Sequence, residues 1–346
     1  MKRVLPQALL YKEWKSARWG LAGLTLVLVL SRLVRVQLEL KWLIELAQAG
    51  NLTVAHHSYW FQTLLFSAGA VAPTLVTVAG LAFLLFYPDR QGATASFLNS
   101  MPFTKMQLFD VKWAVGAGVI TGAYLIHGVL LSAFYFLNRP WMFSTPYRAI
   151  PIWSSLQLLV SLAAFSFFLF VHSAMGHSLA AAVVGPICSF VPAFMAFGLR
   201  DIIYLNFSLS YDNALIVGLS KAANILYWPY LVAPSYLADA RGEVMYPEFD
   251  QLGVRLLVLG IIMLVSFFLG RALYRRNSVE KVGELLMFSQ LEPVLIYGFA
   301  ICFGLLFNQI FGLGYGSGAA MINTFFLGGF MGGFFLARKV VYYYRQ

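Results

Sequence analysis

Pro88-Asp89-Arg90-Gln91-Gly92 opens, and Ser100-Met101-Pro102-Phe103-Thr104-Lys105-Met106-Gln107-Leu108-Phe109-Asp110-Val111-Lys112 closes, a polar interval set between two long apolar runs. Thr104 followed three residues later by Gln107 has the spacing of a capping box, and Phe103 with Leu108 has the spacing of the accompanying hydrophobic staple. The pattern predicts a short helix beginning at Thr104, outside the bilayer. A loop that merely joined two spans could be much shorter. The helix is therefore expected to act as a docking knob for another protein.

The flanking runs decide the fold class. With 346 residues, 60% hydrophobic and only 11% charged, the chain carries more apolar surface than a soluble fold of this size buries. Its apolar runs are long enough to cross ~30 Å of hydrocarbon as helices, whereas a barrel would show short alternating segments. The reading is an all-α, polytopic helical membrane protein of about eight transmembrane helices, with an N-terminal interfacial helix and a cytosolic coupling helix. Cys188 and Cys302 both fall inside apolar runs, which supports neither a disulfide framework nor a thiolate metal site. The net charge of +10 is assigned to cytoplasmic loops and anionic lipid headgroups rather than to nucleic acid.

In chain order, residues 1–19 read as an interfacial helix, with Lys12, Lys15 and Arg18 set among Leu10, Trp14 and Trp19, and as an uncleaved anchor. Residues 20–270 form a six-span core. Its first span starts near Gly20, where Arg32 and Arg35 must snorkel or limit the tilt. A polar interval covers 37–57, and Pro73 is expected to kink the second span, 59–87. The third span is expected over 114–137, the fourth over 156–171 and the fifth over 179–199. Residues 200–254 read as external or re-entrant helices, with Asp212 and Asn213 as caps. After the sixth span, 271–292 is a cytosolic linker. Residues 293–346 add two spans and a tail, the seventh beginning with Ser289, Glu292 and Pro293 as its start signals. On this layout 15 of the 24 Lys and Arg lie on the side of both termini, which places the termini in the cytoplasm.

Three stretches resemble the type-2 permeases of ATP-binding-cassette transporters, in particular bacterial exporter subunits without a fused nucleotide-binding domain. Leu10-Tyr11-Lys12-Glu13-Trp14-Lys15 is similar to the family's interfacial lead-in. Arg90-Gln91-Gly92 through Leu98-Asn99-Ser100-Met101-Pro102-Phe103-Thr104-Lys105 to Lys112 is similar to its first cytosolic loop. Tyr274-Arg275-Arg276-Asn277-Ser278-Val279-Glu280-Lys281-Val282-Gly283-Glu284 resembles a segment of such permeases from Gram-positive bacteria, in which two further spans follow a six-span core. The resemblance implies a single permease domain in a bacterial cytoplasmic membrane that moves an amphipathic, lipid-like or peptide-like substrate. It implies an ATPase subunit and a second permease copy or paralogue as partners. ATP and Mg would be held by that ATPase, and this chain would carry no cofactor and no catalytic residue. The implied ATPase contacts are Thr104, Lys105, Gln107, Leu108, Phe109 and Lys112, with Glu13 and Lys15 nearby.

The residues themselves are consistent with a motor supplied in trans, since no Gly-rich phosphate loop ending in Lys and Ser or Thr is present. The rival class is an ion-coupled secondary transporter, which needs midplane carboxylates or broken helices. No acidic residue falls at a predicted midplane. A membrane enzyme would cluster polar catalytic residues at one face, and here His, Asp and Glu are scattered. His127, His172 and His177 lie in or beside spans without metal-ligand spacing and are assigned to interhelical hydrogen bonding. Gly328, Gly329, Gly332 and Gly333 suit close helix packing, within the chain in preference to a dimer face.

Overall fold

Hydrocarbon offers no partner for backbone N–H and C=O groups, so apolar runs of this length cross a membrane only as helices that bond within themselves. The structure, a computed structural model, describes residues 7–53, 60–67, 69, 71–90, 102–143, 145–231, 235–238, 245–248, 252–312 and 318–343. Among these, eight helices are long and apolar enough to cross a membrane. The architecture is all-helical and polytopic apart from one two-stranded ribbon.

The first span is longer than its apolar stretch. Helix α1 (Gln7–Leu28) passes through a π-helical turn (Val29–Leu33) into α2 (Val34–Gln48), a run of 42 residues and about 63 Å. The interfacial helix expected over 1–19 is thus no separate element where it is described. No proline lies between Lys15 and Leu21, and Ala17, Arg18 and Leu21 favour a helix enough to carry it through Gly20. The polar interval expected from residue 37 is likewise helical as far as Gln48, while His56 and His57 lie outside the described residues.

The second span is broken rather than kinked. Helix α3 (Trp60–Phe66) stops, and α4 (Val71–Phe86) starts with Pro73 in its first turn, where no N–H is needed. A 3-10 turn, Pro88–Arg90, closes α4. The predicted short helix at Thr104 and the third span are one element, α5 (Lys105–Leu137), because no proline interrupts it. Its start is as read: Gln107 N–H donates to Thr104 Oγ1 at 3.2 Å, and Thr104 N–H donates to Gln107 Oε1 at 2.9 Å.

Helix α6 (Ala149–Ala174) begins earlier than expected, with Pro151 tolerated in its first turn. Helix α7 (Ser178–Asn206) contains Pro186 and Pro192, and the His177 ring caps it by accepting from Ala180 N–H at 3.2 Å. Asn213 caps α8 (Ala214–Leu226) by accepting from Leu215 N–H at 2.9 Å, and at 13 residues α8 is too short to span. Strands β1 (Ser235–Ala238) and β2 (Met245–Glu248) follow as an antiparallel pair, where helices had been expected.

Helix α9 (Leu252–Arg276) carries Arg275 and Arg276 in its last turn, where they complement the helix dipole. The final pair is α10 (Glu292–Phe311) and α11 (Ala319–Tyr343). Pro293 sits in the first turn of α10 as read, but Ser289 belongs to a preceding 3-10 turn and does not cap the helix.

Helix α6 is the centre of the bundle, packed by α4, α5, α7 and α9. Helices α10 and α11 pack chiefly on each other and dock on α7. Gly329 and Gly333 make that close approach possible, since a Cβ on either would lie within 3.1 Å of the backbone of α10, at Gly304 and Ala300 respectively. Gly328 has open space around it, and Gly332 nearly so. The part of 271–292 that follows α9 folds back on the α6–α7 turn. Gly176 N–H donates to Leu285 O at 3.2 Å, and Met287 N–H donates to Ala174 O at 2.9 Å.

Candidate functional site: an ion cluster joining four helices

The first two turns of α5 meet four other segments. Lys112 of α5 is fully buried and lies 3.0 Å from Glu13 Oε2 of α1 and 2.5 Å from Asp89 Oδ2 in the turn after α4. Its ammonium also donates to the carbonyl of Leu85. Lys12 reaches the other Asp89 oxygen at 2.5 Å and Glu13 Oε1 at 3.2 Å. Two buried carboxylates are therefore neutralised by the buried Lys112 and the partly exposed Lys12, the condition under which buried charge is tolerated.

The cluster rests on an aromatic floor. Lys112 lies over the Phe86 ring at 5.4 Å and Arg90 at 5.2 Å. The same ring stacks on His172 of α6 at 5.0 Å and meets Tyr274 of α9 edge-on at 5.7 Å. Arg90 donates to the carbonyl of His172, which ties the turn after α4 to the end of α6. Burial by itself raises the Asp89 carboxyl pKa, but the Lys112 and Lys12 ammoniums outweigh burial and hold it below its ordinary value of 3.8. Burial pulls Arg90 down to about 10, against the opposing pull of Tyr274 and Asp89.

Helix α9 completes the junction. Arg271 grips Asp110 with two parallel bonds, Nε to Oδ1 at 2.8 Å and a terminal nitrogen to Oδ2 at 2.9 Å. The Lys105 ammonium donates to the carbonyl of Asn277 at 2.5 Å. Phe109 lies against Phe267 and Tyr274, and Gly270 makes room for it: a Cβ there would sit 2.9 Å from the Phe109 ring. The start of α5 is thus clamped to α1, α4, α6 and α9, so it cannot tilt without displacing them.

The residues implied as partner contacts divide cleanly. Glu13, Leu108, Phe109 and Lys112 are buried inside this chain, so in this conformation they offer no surface to a partner. Lys15 and Thr104 are exposed, and Lys105 and Gln107 are half-buried, so the accessible edge of the junction is theirs. Asp89, Lys12, Arg90, Asp110 and Arg271 complete the cluster, and the sequence reading gave none of them a site role, placing Lys12 only on the interfacial helix. The only linear signal for them is a run of charges at span ends, which does not reveal which helices meet.

His172 does not make the ring-mediated interhelical bond expected of it. Both ring nitrogens of His172 lack partners among the described residues, and His177 caps its own helix. His127 is buried against Trp153, with ring centroids 5.4 Å apart. Among the described residues no group of His, Cys, Asp and Glu is placed to hold a metal ion.

Comparisons with protein-family models, with curated proteins and with solved structures give no match. Fold and site together define a multi-pass helical membrane protein whose helices are joined at one end by a buried ion cluster.

Proposed function

We propose that this chain is the membrane-spanning permease subunit of an ATP-binding-cassette transporter of the type-2 exporter kind. It would sit in a bacterial cytoplasmic membrane with both termini in the cytoplasm, beside a second permease copy or paralogue. A separate ATPase supplies the nucleotide chemistry, and the cargo is an amphipathic, lipid-like or peptide-like compound.

The observation that carries this reading is the clamping of the start of α5. A helix end fixed to four neighbours by buried ion pairs and ring packing transmits a push as a rigid-body movement, because packed elements shift between discrete arrangements rather than deform. An ATPase engaging Lys15, Thr104, Lys105 and Gln107 at the accessible edge would move α1, α4, α6 and α9 together. The cluster's internal neutrality suits such a role, since it holds the helices together without needing an ion to bind and leave.

Reconstitution with the candidate ATPase in proteoliposomes tests the proposal. The expected result is ATP-dependent movement of an amphipathic reporter, lost in Lys15→Glu, a change at an exposed position outside both the buried cluster and the α5 cap. Transport by this chain alone under an ion gradient without ATP overturns it in favour of a secondary transporter.

A further inference from the structure

At the end of the bundle away from the ion cluster, a groove of about 380 Å³ separates α2 from α5. Helix α1 packs along α5, but beyond the π-helical turn α2 parts from it and the space between them stays open. Each wall is one helical stripe: Leu33 at the end of the π-helical turn with Leu40 and Ile44 on α2, facing Leu130, Phe134 and Leu137 on α5. The volume lies within the range of small-molecule sites, and the walls are mostly apolar, with Gln37, Lys41 and Asn138 as their polar members.

The depth of the groove is set by its neighbours. Trp19 and Trp42 are both exposed and lie about 35 Å apart along the helix, which matches an aromatic residue at each membrane interface. Lys41 stands beside Trp42 at the mouth, and Leu33 lies about 12 Å further in. Gln37 is one turn below Lys41 on the same face. Neither side chain has a partner among the described residues, and Lys41 is the one charge lining the groove there. The site is therefore an apolar slot of membrane depth with an ammonium and a carboxamide at headgroup level.

We propose that the groove holds one acyl chain of an anionic membrane phospholipid, with Lys41 and Gln37 donating to its phosphate. Charge complementarity selects this occupant: a neutral hydrocarbon gains nothing from Lys41, and a zwitterionic headgroup brings its own cation to the same place. Such a lipid fills the gap between the splayed helices and braces α2 against α5. This inference stands whether or not the chain works with an ATPase.

The full chain in nanodiscs, with a phosphatidylglycerol carrying a photoreactive group on one acyl chain, provides the test. Crosslinks should map to 33–44 and 130–138, and matched phosphatidylcholine should label these peptides less. Lys41→Gln should lower phosphatidylglycerol labelling about five-fold, the equivalent of one headgroup–lysine attraction. Ala133→Trp, which places a ring in the groove, should reduce it to background. Lys41→Gln lies at an exposed position, so the prediction survives if the tryptophan variant fails to fold. Equal labelling by the two lipids, labelling unchanged in Lys41→Gln, or a non-lipid amphiphile retained there in native mass spectrometry overturns the proposal.

Discussion

Arg32 reaches Ser67 across the broken second span, its guanidinium donating to the Ser67 hydroxyl at 2.7 Å and to the Ser67 carbonyl at 2.6 Å. It also donates to Leu64 O at 2.7 Å and lies over the Trp153 ring at 5.6 Å. These carbonyls are the ones freed where α3 ends, and at membrane depth they have no water to turn to. The π-helical turn presents Arg32 to the interior, so the arginine expected either to snorkel or to limit the tilt is buried as a cap on a helix end.

Arg32→Met removes the donor to the Ser67 carbonyl, at a cost of about 1–3 kcal/mol for a buried group without a partner, while Leu64 O keeps the Ser67 hydroxyl at 2.9 Å. Arg32→Lys keeps the charge but loses the fork, and should fall between the two. Thermal unfolding in detergent, followed by tryptophan fluorescence, should rank wild type above Arg32→Lys and Arg32→Lys above Arg32→Met. Equal midpoints for all three would remove the capping role.

The two lysines of the ion cluster should differ sharply. Lys112 is fully buried, whereas the Lys12 side chain is 31% exposed and remains partly solvated. Lys112→Met leaves only Lys12 to balance two buried carboxylates and should cost about 3–5 kcal/mol. Lys12→Met should cost less than about 1 kcal/mol. A double-mutant cycle between Glu13→Gln and Lys112→Met should be strongly non-additive, because the two side chains touch. An additive cycle in denaturant unfolding would mean that the pair is not coupled.

Acid should loosen the same end of the bundle. The folded pKa of Asp89 lies below its ordinary 3.8, so the unfolded chain takes up the proton first as pH falls. The stabilisation from Asp89 is complete above that ordinary value and is lost as pH drops through the lower folded value. Unfolding midpoints should therefore fall below pH 3.8 more steeply in wild type than in Asp89→Asn. The variant should start from a lower midpoint at neutral pH. Parallel pH profiles would show that Asp89 is not held in its charged form.

How much of this was legible in the sequence depends on the range of the interaction. The spans were readable because hydropathy is summed locally, and the Thr104–Gln107 and Asn213 caps because their partners lie within three residues. Continuity was not. That the helices expected at the amino terminus and at Thr104 run on into the first and third spans follows from the absence of a proline, and a polar stretch looks like a boundary when only hydropathy is counted. The Lys112–Asp89 contact joins the turn after α4 to α5, and Arg271–Asp110 joins α9 to α5, so neither has a periodic signature. Phe109 and Leu108 were expected at a docking surface through the family resemblance, and nothing local in the sequence shows that this chain covers them itself.

Gly176 shows how a single small residue holds the stretch after α9 in place. A Cβ at this position would meet Lys281 O at 2.5 Å and would also collide with Glu284 O. Both are backbone atoms of the returning segment, so no rotamer change relieves the clash. Gly283, at φ +103°, turns that segment so that its N–H donates to Gly176 O at 3.3 Å. Gly176→Ala should therefore push 281–287 off the α6–α7 turn and break the pairing of Met175 with Leu286. Overpacking of this kind costs about 1–3 kcal/mol. Because the segment follows directly from the α9 end that holds Lys105 through Asn277, its release should be visible before the bundle melts. Trypsin should cut after Lys281 several-fold faster in Gly176→Ala than in wild type at a temperature where both retain their helical circular dichroism. An unchanged cutting rate would show that the segment is held elsewhere.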